Sequence, residues 1–279
     1  MKVFHTISPL VQYLDEYRGK SKTIGFVPTM GALHAGHISL IEESVRHDDL
    51  TVVSIFVNPN QFNNPDDLKR YPRNPDSDIV MCKQAGASVV FMPSVEVIYP
   101  EPDKRQFDFG ILDKVMEGKF RPGHFNGVAQ VVSRLFDIVK PNRAYFGQKD
   151  FQQLAIIKRM VWDYSMDVEI IPCPTVRESD GLAMSSRNTL LTPQQRASAP
   201  LISKILFEAR NKAHSHSVDE LLAWVVDSIN QDPLLRVEYF SIVNAVTLEE
   251  ITQWSDAENV VGCIAVNVGA VRLIDNVLF

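Results

Sequence analysis

The fold is indicated by residues 23–57, which read TIGFVPTMGALHAGHISLIEESVRHDDLTVVSIFV. Apolar, β-rich runs open and close this stretch, and an amphipathic segment lies between them, which is the pattern of a strand, a helix and a second strand. Similar runs recur at 88–92, 144–146 and 168–171, with helical patterns in between. Because strands that alternate with helices form parallel sheets, the sequence predicts an α/β, Rossmann-like domain. Its functional residues are expected just after the strands, where such sheets bind ligands.

The character of the chain changes after residue 171, where prolines and an S-D-G segment at 179–181 interrupt the pattern. Helical patterns at 194–211 and 218–229 follow, and then strand-like runs at 237–243, 260–266 and 271–277. A turn around Gly269 joins the last two runs, as in an antiparallel sheet. We therefore predict two domains: residues 1–176 with the parallel sheet, and residues 177–279 as a smaller α+β lid domain with an antiparallel sheet.

Composition and charge exclude several classes of protein. The 279 residues include 28 Lys+Arg and 34 Asp+Glu, which gives a formal net charge of −6, and 45% are hydrophobic. This is globular composition, and the acidic balance argues against non-specific binding to nucleic acid or to an anionic membrane. Three separated cysteines indicate buried free thiols. No secretory signal or membrane span is visible, so the expected location is the cytoplasm.

The loop after the first strand contains the most specific motif. Gly31 and Gly36 have the spacing of a P-loop, but His37 and Ile38 stand where a P-loop needs Lys and Ser or Thr. The remaining motif is H-x-G-H, from His34 to His37, at a strand-to-helix turn where backbone N–H groups favour phosphate. We interpret it as a phosphate site. A pair of capping or core histidines, or a metal-binding pair, stays possible at this point.

Other candidate residues follow later strands. Lys149 and Asp150 suit a phosphate and a magnesium ion, although an exposed pair at a helix start would have the same sequence. Gln61 and Gln153 offer carboxamides that can bind a hydroxy acid without pairing its carboxylate with a full charge. Without other information they would be surface residues.

Three further segments have a possible role in binding. Ser185, Ser186 and Arg187 offer hydroxyls and a guanidinium to phosphates, unless they are a polar surface loop. The connection at 58–76 contains three Asn-Pro pairs and is long enough to border a site. Residues 121–125 are either a mobile flap or a simple turn.

Five segments, taken together, resemble the H-x-G-H nucleotidylyltransferase superfamily and, within it, are similar to the pantothenate synthetase (pantoate–β-alanine ligase) family. In chain order they are V-P-T-M-G at 27–31, F-V-N-P-N-Q-F at 56–62, R-P-G-H-F at 121–125, A-Y-F-G-Q-K-D at 144–150 with Gln152 and Gln153, and M-S-S-R-N at 184–188. The family usually has Glu in place of Gln148 and Thr in place of Gln130.

The resemblance implies an ATP-dependent ligase of the coenzyme A pathway. Such an enzyme condenses (R)-pantoate with β-alanine through a pantoyl-adenylate and releases AMP and diphosphate, with Mg²⁺ as cofactor. A cytoplasmic homodimer is implied as well. Two other functions stay open from the residues alone: a nucleotidylyltransferase that acts on another small acceptor, and a non-catalytic ATP sensor. A dinucleotide dehydrogenase is disfavoured because no G-x-G-x-x-G follows the first strand.

The resemblance also implies roles for individual residues. The implied catalytic residues are His34, His37, Lys149 and Arg187, with His37 as the donor to charge that develops during adenylation. The implied ATP-binding residues are Met30, Gly31, Ala32, Leu33, His34, Ala35, Gly36, His37, Gly147, Gln148, Lys149, Asp150, Val176, Met184, Ser185, Ser186 and Arg187. The implied substrate-binding residues are Met30, Asn58, Gln61 and Gln153, and Asp150 is the implied magnesium ligand.

Overall fold

Two units make up the chain, and a computed structural model describes all 279 residues. Unit 1 consists of Met1–Phe109, Arg121–Gln148 and Gln153–Pro174. Unit 2 consists of Gly110–Phe120, Lys149–Gln152 and Thr175–Phe279. The units are therefore interleaved in sequence.

A six-stranded parallel sheet forms the centre of unit 1, in the order β1-β4-β3-β2-β5-β6. Its strands are β1 Lys2–Phe4, β2 Ile24–Thr29, β3 Leu50–Ile55, β4 Val89–Phe91, β5 Arg143–Gly147 and β6 Glu169–Cys173. The prediction of a parallel α/β sheet is confirmed, and five of these strands coincide with the predicted runs. Strand β1 was not predicted, because three residues are too few to show a period.

The structure has more helices than the sequence patterns predicted, and their bounds differ from those patterns. They are α1 Ile7–Arg18, α2 Ala35–His47, α3 Pro65–Arg70, α4 Pro75–Gln84, α5 Val95–Ile98, α6 Met116–Phe120, α7 His124–Val139, α8 Phe151–Asp163, α9 Pro193–Ser198, α10 Leu201–Lys212 and α11 Val218–Asn230. The pattern at 194–211 is thus divided between α9 and α10, which are separated at Ala199 and Pro200. The connection at 58–76 is not a bare loop, since it contains α3 and the start of α4.

Helix α7 is the central helix of unit 1. It begins after Gly123, whose φ of +81° is readily adopted only by glycine, and ends before Lys140 and Pro141. Nearly the whole helix is buried, rather than one face alone. Phe136 makes edge contacts with the rings of Phe26 on β2 and Phe146 on β5. Residues 121–125 are accordingly the turn that leads into this helix and its first two residues.

Unit 2 contains a three-stranded antiparallel sheet in the order β7-β8-β9. The strands are β7 Leu235–Asn244, β8 Val260–Val268 and β9 Val271–Leu278. Gly269, with a φ of +61°, lies in the tight turn between the last two strands. Helices α10 and α11 pack on this sheet through a core that includes Leu206, Val225 and Ile264. The predicted antiparallel sheet of the C-terminal part is confirmed.

None of the helices combines the length and the apolar character that crossing a bilayer requires.

Candidate active site

The backbone of the H-x-G-H loop is fixed by a buried carboxylate. Gly31 and Ala32 both have positive φ angles, +79° and +49°. A Cβ on Gly31 would lie 2.9 Å from an oxygen of Asp78, so only glycine fits there. The Asp78 carboxylate, 2% exposed on α4, accepts the backbone N–H groups of Ala32 at 2.9 Å and Leu33 at 2.8 Å. The loop is therefore held from α4 as well as by its own glycine.

The two histidines of the motif form a reciprocal cap on α2. His34 is the N-cap residue, and its Nδ1 accepts the backbone N–H of Gly36 at 3.1 Å. The Nδ1 of His37 accepts the backbone N–H of His34 at 3.3 Å, and the two ring centroids are 4.1 Å apart. Because a backbone N–H can only donate, both Nδ1 atoms must carry lone pairs. Each neutral ring consequently has its proton on Nε2.

This geometry bears on two interpretations of the motif. The capping interpretation is correct for the Nδ1 atoms, and the Nε2 atoms of His34 and His37 take no part in the cap. No group of three His, Cys, Asp or Glu side chains is placed to hold a metal ion. Capping and phosphate binding are thus compatible roles of the same two rings.

Beside the motif lies a cluster of buried amides and one thioether. Asn58 and Gln61 follow β3 and are 1% and 9% exposed. Asn58 Nδ2 donates to Gln61 Oε1 at 3.3 Å, and Gln61 Nε2 lies 2.8 Å from the sulfur of Met30. Tyr99 donates its hydroxyl to Asn58 Oδ1 at 3.0 Å. Three of the predicted substrate-binding residues therefore meet within unit 1, and the surface interpretation of Gln61 is wrong.

The start of α7 supports this amide cluster. His124, 6% exposed, donates from Nδ1 to the backbone carbonyl of Gln61 at 2.9 Å. Its Nε2 accepts from the guanidinium of Arg121 at 3.2 Å. A Cβ on Gly127 would lie 2.2 Å from the carbonyl oxygen of Asn60, so this glycine permits the close approach of helix and turn. The R-P-G-H-F segment gave no sign that His124 supports Gln61.

The fourth predicted substrate residue, Gln153, lies in the first turn of α8 and is half-buried. Gly147 ends β5, and Gln148 begins the short 3₁₀ turn Gln148–Asp150. All three belong to unit 1.

Lys149 and Asp150 belong to unit 2. The Lys149 ammonium lies 3.3 Å from Asp150 Oδ2, and the two side chains are 18% and 45% exposed. The Lys149 backbone carbonyl accepts the Asn276 side-chain amide at 2.9 Å. The interpretation of this pair as simply exposed is therefore wrong for Lys149. Asp150 provides a single half-exposed carboxylate, which suits Mg²⁺ that takes most of its ligands from phosphates and water.

The remaining predicted ATP-binding residues form one compact segment of unit 2. Met184 donates its backbone N–H to Val176 at 3.0 Å, across a short hairpin whose turn contains Gly181 at a φ of +92°. Ser185 then caps the 3₁₀ turn Ser186–Leu190 by accepting the N–H of Arg187 at 3.3 Å. The segment consequently has a defined turn structure.

Comparison with known proteins identifies the family. The family model described as pantoate-beta-alanine ligase matches residues 2–278, nearly the whole chain. The chain belongs to the pantoate–β-alanine ligase family. It is 55% identical over 279 residues to a pantothenate synthetase of Bacteroides fragilis (strain YCH46), covering 100% of this chain and 99% of that one.

Solved structures of the pantoate–β-alanine ligase family share the fold. The crystal structure of pantothenate synthetase from Thermus thermophilus has a TM-score of 0.93 and 42% identity, with 99% of both chains covered. The pantoate-beta-alanine ligase from Francisella tularensis, complexed with beta-gamma ATP and beta-alanine, has a TM-score of 0.84 and 37% identity. The alignment with it covers 100% of this chain and 97% of that chain.

Gln130 on α7 has a structural role. Its side chain is 4% exposed. Its Nε2 donates to the backbone carbonyls of Asp103 and Arg105 at 3.1 and 2.8 Å, and its Oε1 accepts from Asn60 Nδ2 at 3.0 Å. Gln130 therefore joins the backbone segment at 103–105 to the turn that contains the amide cluster.

Proposed function

We propose that the protein condenses (R)-pantoate with β-alanine to form pantothenate, with cleavage of ATP to AMP and diphosphate. The observation that carries this proposal is the neutral amide cluster of Asn58 and Gln61 directly beside Met30 of the H-x-G-H loop. The proposed phosphate-binding loop and amides that could bind a small hydroxy acid are thereby adjacent within one unit. Family membership supplies the reaction, and the Francisella tularensis relative is complexed with beta-gamma ATP and beta-alanine.

In the first half-reaction, an oxygen of the pantoate carboxylate attacks the α-phosphorus of ATP. The bond between the α-phosphorus and the bridging oxygen breaks, and diphosphate leaves with the electron pair. Little covalent help from the protein is needed, because positioning and fixed positive charge lower the barrier. We assign His34 and His37 to the phosphate oxygens through their Nε2–H groups, and His37 to the charge that develops at the reacting phosphate.

Lys149, Arg187 and the hydroxyls of Ser185 and Ser186 complete the proposed charge compensation. A lysine ammonium acts as a compact point charge, whereas the planar guanidinium of Arg187 can bind two phosphate oxygens at once. When bound, Mg²⁺ would neutralise phosphate charge, and Asp150 would be its protein ligand. The backbone at Gly147, Gln148, Val176 and Met184 is proposed to contact the nucleotide.

In the second half-reaction, the neutral amine of β-alanine attacks the acyl carbon of the pantoyl-adenylate. The amide bond forms, AMP leaves with the electron pair of the acyl–oxygen bond, and the amine loses a proton. Gln61 is proposed to border this amine site as well as to bind pantoate with Gln153 and Asn58. Carboxamides suit both steps, since they bind hydroxyl and carboxylate oxygens without the charge that would weaken the attacking carboxylate.

The alternatives fit the residues less well. An enzyme that transfers a nucleotide to a phosphate ester would need Arg or Lys in the acceptor pocket, where this chain has Asn58 and Gln61. A non-catalytic sensor would bind ATP without any requirement for an acid-binding cluster.

We assign nucleotide and pantoate binding to residues 1–176 and a lid role to residues 177–279. We also propose that the protein is a homodimer. A cytoplasmic location is proposed because ATP is a substrate and all three cysteines are free and buried. Sedimentation equilibrium tests the dimer, for which a mass near twice 31.5 kDa is expected and a mass of 31.5 kDa would contradict the proposal.

The decisive experiment is exchange of labelled diphosphate into ATP with magnesium, measured with and without pantoate and without β-alanine. Exchange that depends on pantoate is expected, because only a reversible adenylation returns the label to ATP. Exchange with a phosphate ester but not with pantoate would favour the nucleotidylyltransferase. Measurable ATP binding with no exchange for any small acid would favour the sensor.

A further inference from the structure

Strand β9 carries two adjacent buried polar residues, Asp275 and Asn276, which are 4% and 8% exposed. Buried polar groups cost free energy unless they are hydrogen-bonded, so their partners show what they do. The Asp275 carboxylate forms a bidentate pair with the guanidinium of Arg177, at 2.6 and 2.9 Å. Arg177 follows Val176 in the hairpin that precedes Ser185 and Ser186.

Asn276 connects this ion pair to the backbone of Lys149. Its backbone N–H donates to Asp275 Oδ1 at 2.8 Å, and its side-chain Nδ2 donates to the Lys149 carbonyl at 2.9 Å. A continuous set of hydrogen bonds thus runs from Arg177 through Asp275 and Asn276 to Lys149, entirely within unit 2. One end lies next to Val176, and the other is the backbone of the proposed phosphate-binding lysine.

We infer that Asn276 is a positioning residue for Lys149, a role that rests on the proposed nucleotide-binding function of that lysine. A lysine side chain has four rotatable bonds, so the place of its ammonium depends on where the backbone starts the chain. The bond from Asn276 fixes the carbonyl of Lys149, and the bidentate pair with Arg177 fixes the neighbouring Asp275 in turn. Asn276 itself does not touch the substrate in this role.

The first test compares Asn276→Ala with a matched control, Asn267→Ala. Asn267 is a half-buried carboxamide on the neighbouring strand β8 and is outside this set of hydrogen bonds. Asn276→Ala is expected to lower kcat/KM for ATP in the pantoate-dependent exchange by roughly tenfold or more, as misplacement of a positioning group does. Asn267→Ala should leave it unchanged. Equal losses in the two variants would overturn the inference.

The second test is a double-mutant cycle with Lys149→Ala, read as the dissociation constant of ATP by calorimetry. If Asn276 acts through Lys149, Asn276→Ala should weaken ATP binding in the parent protein but by less than about twofold in the Lys149→Ala background. The same factor in both backgrounds would overturn the positioning role. If ATP binding shows this coupling but the parent protein catalyses no exchange, only the proposed reaction is contradicted. Failure of the positioning role and failure of the proposed reaction are therefore distinguishable.

Thermal unfolding of each variant separates positioning from a purely structural role. If Asn276→Ala does not fold at the assay temperature, Asn276→Asp replaces it, since Asp has the same shape and an ionised carboxylate cannot donate. Loss of folding in both variants would overturn the inference in favour of a structural role. Folded variants with the coupling described would support it.

Discussion

The carboxylate of Asp78 accepts the backbone N–H of Leu33 at 2.8 Å, inside the loop that carries the two motif histidines. Its other oxygen accepts the N–H of Ala32 at 2.9 Å. Ala32 has a φ of +49°, a conformation that costs free energy for residues other than glycine. The two hydrogen bonds offset that cost, so the shape of the loop depends on a residue of α4.

Replacement of Asp78 by Ala is expected to reduce both stability and activity. Two buried N–H groups would lose their acceptor, which costs about 2 kcal/mol or more in the free energy of unfolding. Urea denaturation measures this loss, and the diphosphate exchange measures the effect of a loosened loop on kcat. Asp78→Asn keeps one acceptor oxygen and should fall between the parent protein and Asp78→Ala. If Asp78→Ala unfolds at the same urea concentration as the parent, the carboxylate does not support the loop.

His37→Ala tests the proposed donor to the reacting phosphate. Loss of an interaction made mainly in the transition state lowers kcat far more than it weakens ATP binding, and a decrease of roughly 100-fold is expected. The matched control is His47→Ala at the other end of α2, where the exposed ring contacts the backbone carbonyl and the carboxylate of Glu43. Unchanged kcat in His37→Ala would rule out the donor role. If only the KM for ATP rises, His37 contributes to ATP binding alone.

Gln153→Ala should raise the KM for pantoate more than the KM for ATP. One hydrogen bond to the hydroxy acid would be lost, for which an increase of about fivefold or more is expected. Gln84→Ala provides the control, because Gln84 is an exposed glutamine at the end of α4. An unchanged pantoate KM in steady-state assays would exclude Gln153 from the acid pocket.

Much of the fold could be predicted because it follows from local patterns. The β-rich runs alternate with helical patterns in the first part of the chain and lie close together at its end, so the parallel and the antiparallel sheets were both predicted. Strand β1 has only three residues, and it was missed for that reason. The break between α9 and α10 was also missed, although Pro200 stands there.

The site could be predicted only where a short motif carries the chemistry. His34 and His37 were found through their spacing, but the burial of Gln61 results from contacts with Met30 and with the start of α7, which lies more than 60 residues later in the chain. The supporting roles of Asp78, His124 and Asn276 likewise depend on hydrogen bonds to distant backbone groups. Such pairings have no period and no motif, so a single sequence does not contain a signal for them.

The three free cysteines are expected to resist alkylation in the folded protein. Burial raises the pKa of Cys82 and of Cys263 to about 12, and that of Cys173 to about 11. The thiolate is the reactive species, so raised pKa values leave almost none of it at pH 8. Folding favours the protonated thiols, and this contribution to stability is fully present below the ordinary thiol pKa of 9 and is lost as the pH rises through 11 to 12. Iodoacetamide at pH 8 with mass spectrometry should therefore label the native chain slowly and the urea-unfolded chain at all three positions. Rapid labelling of the native chain at one cysteine would show that this thiol is accessible and not buried.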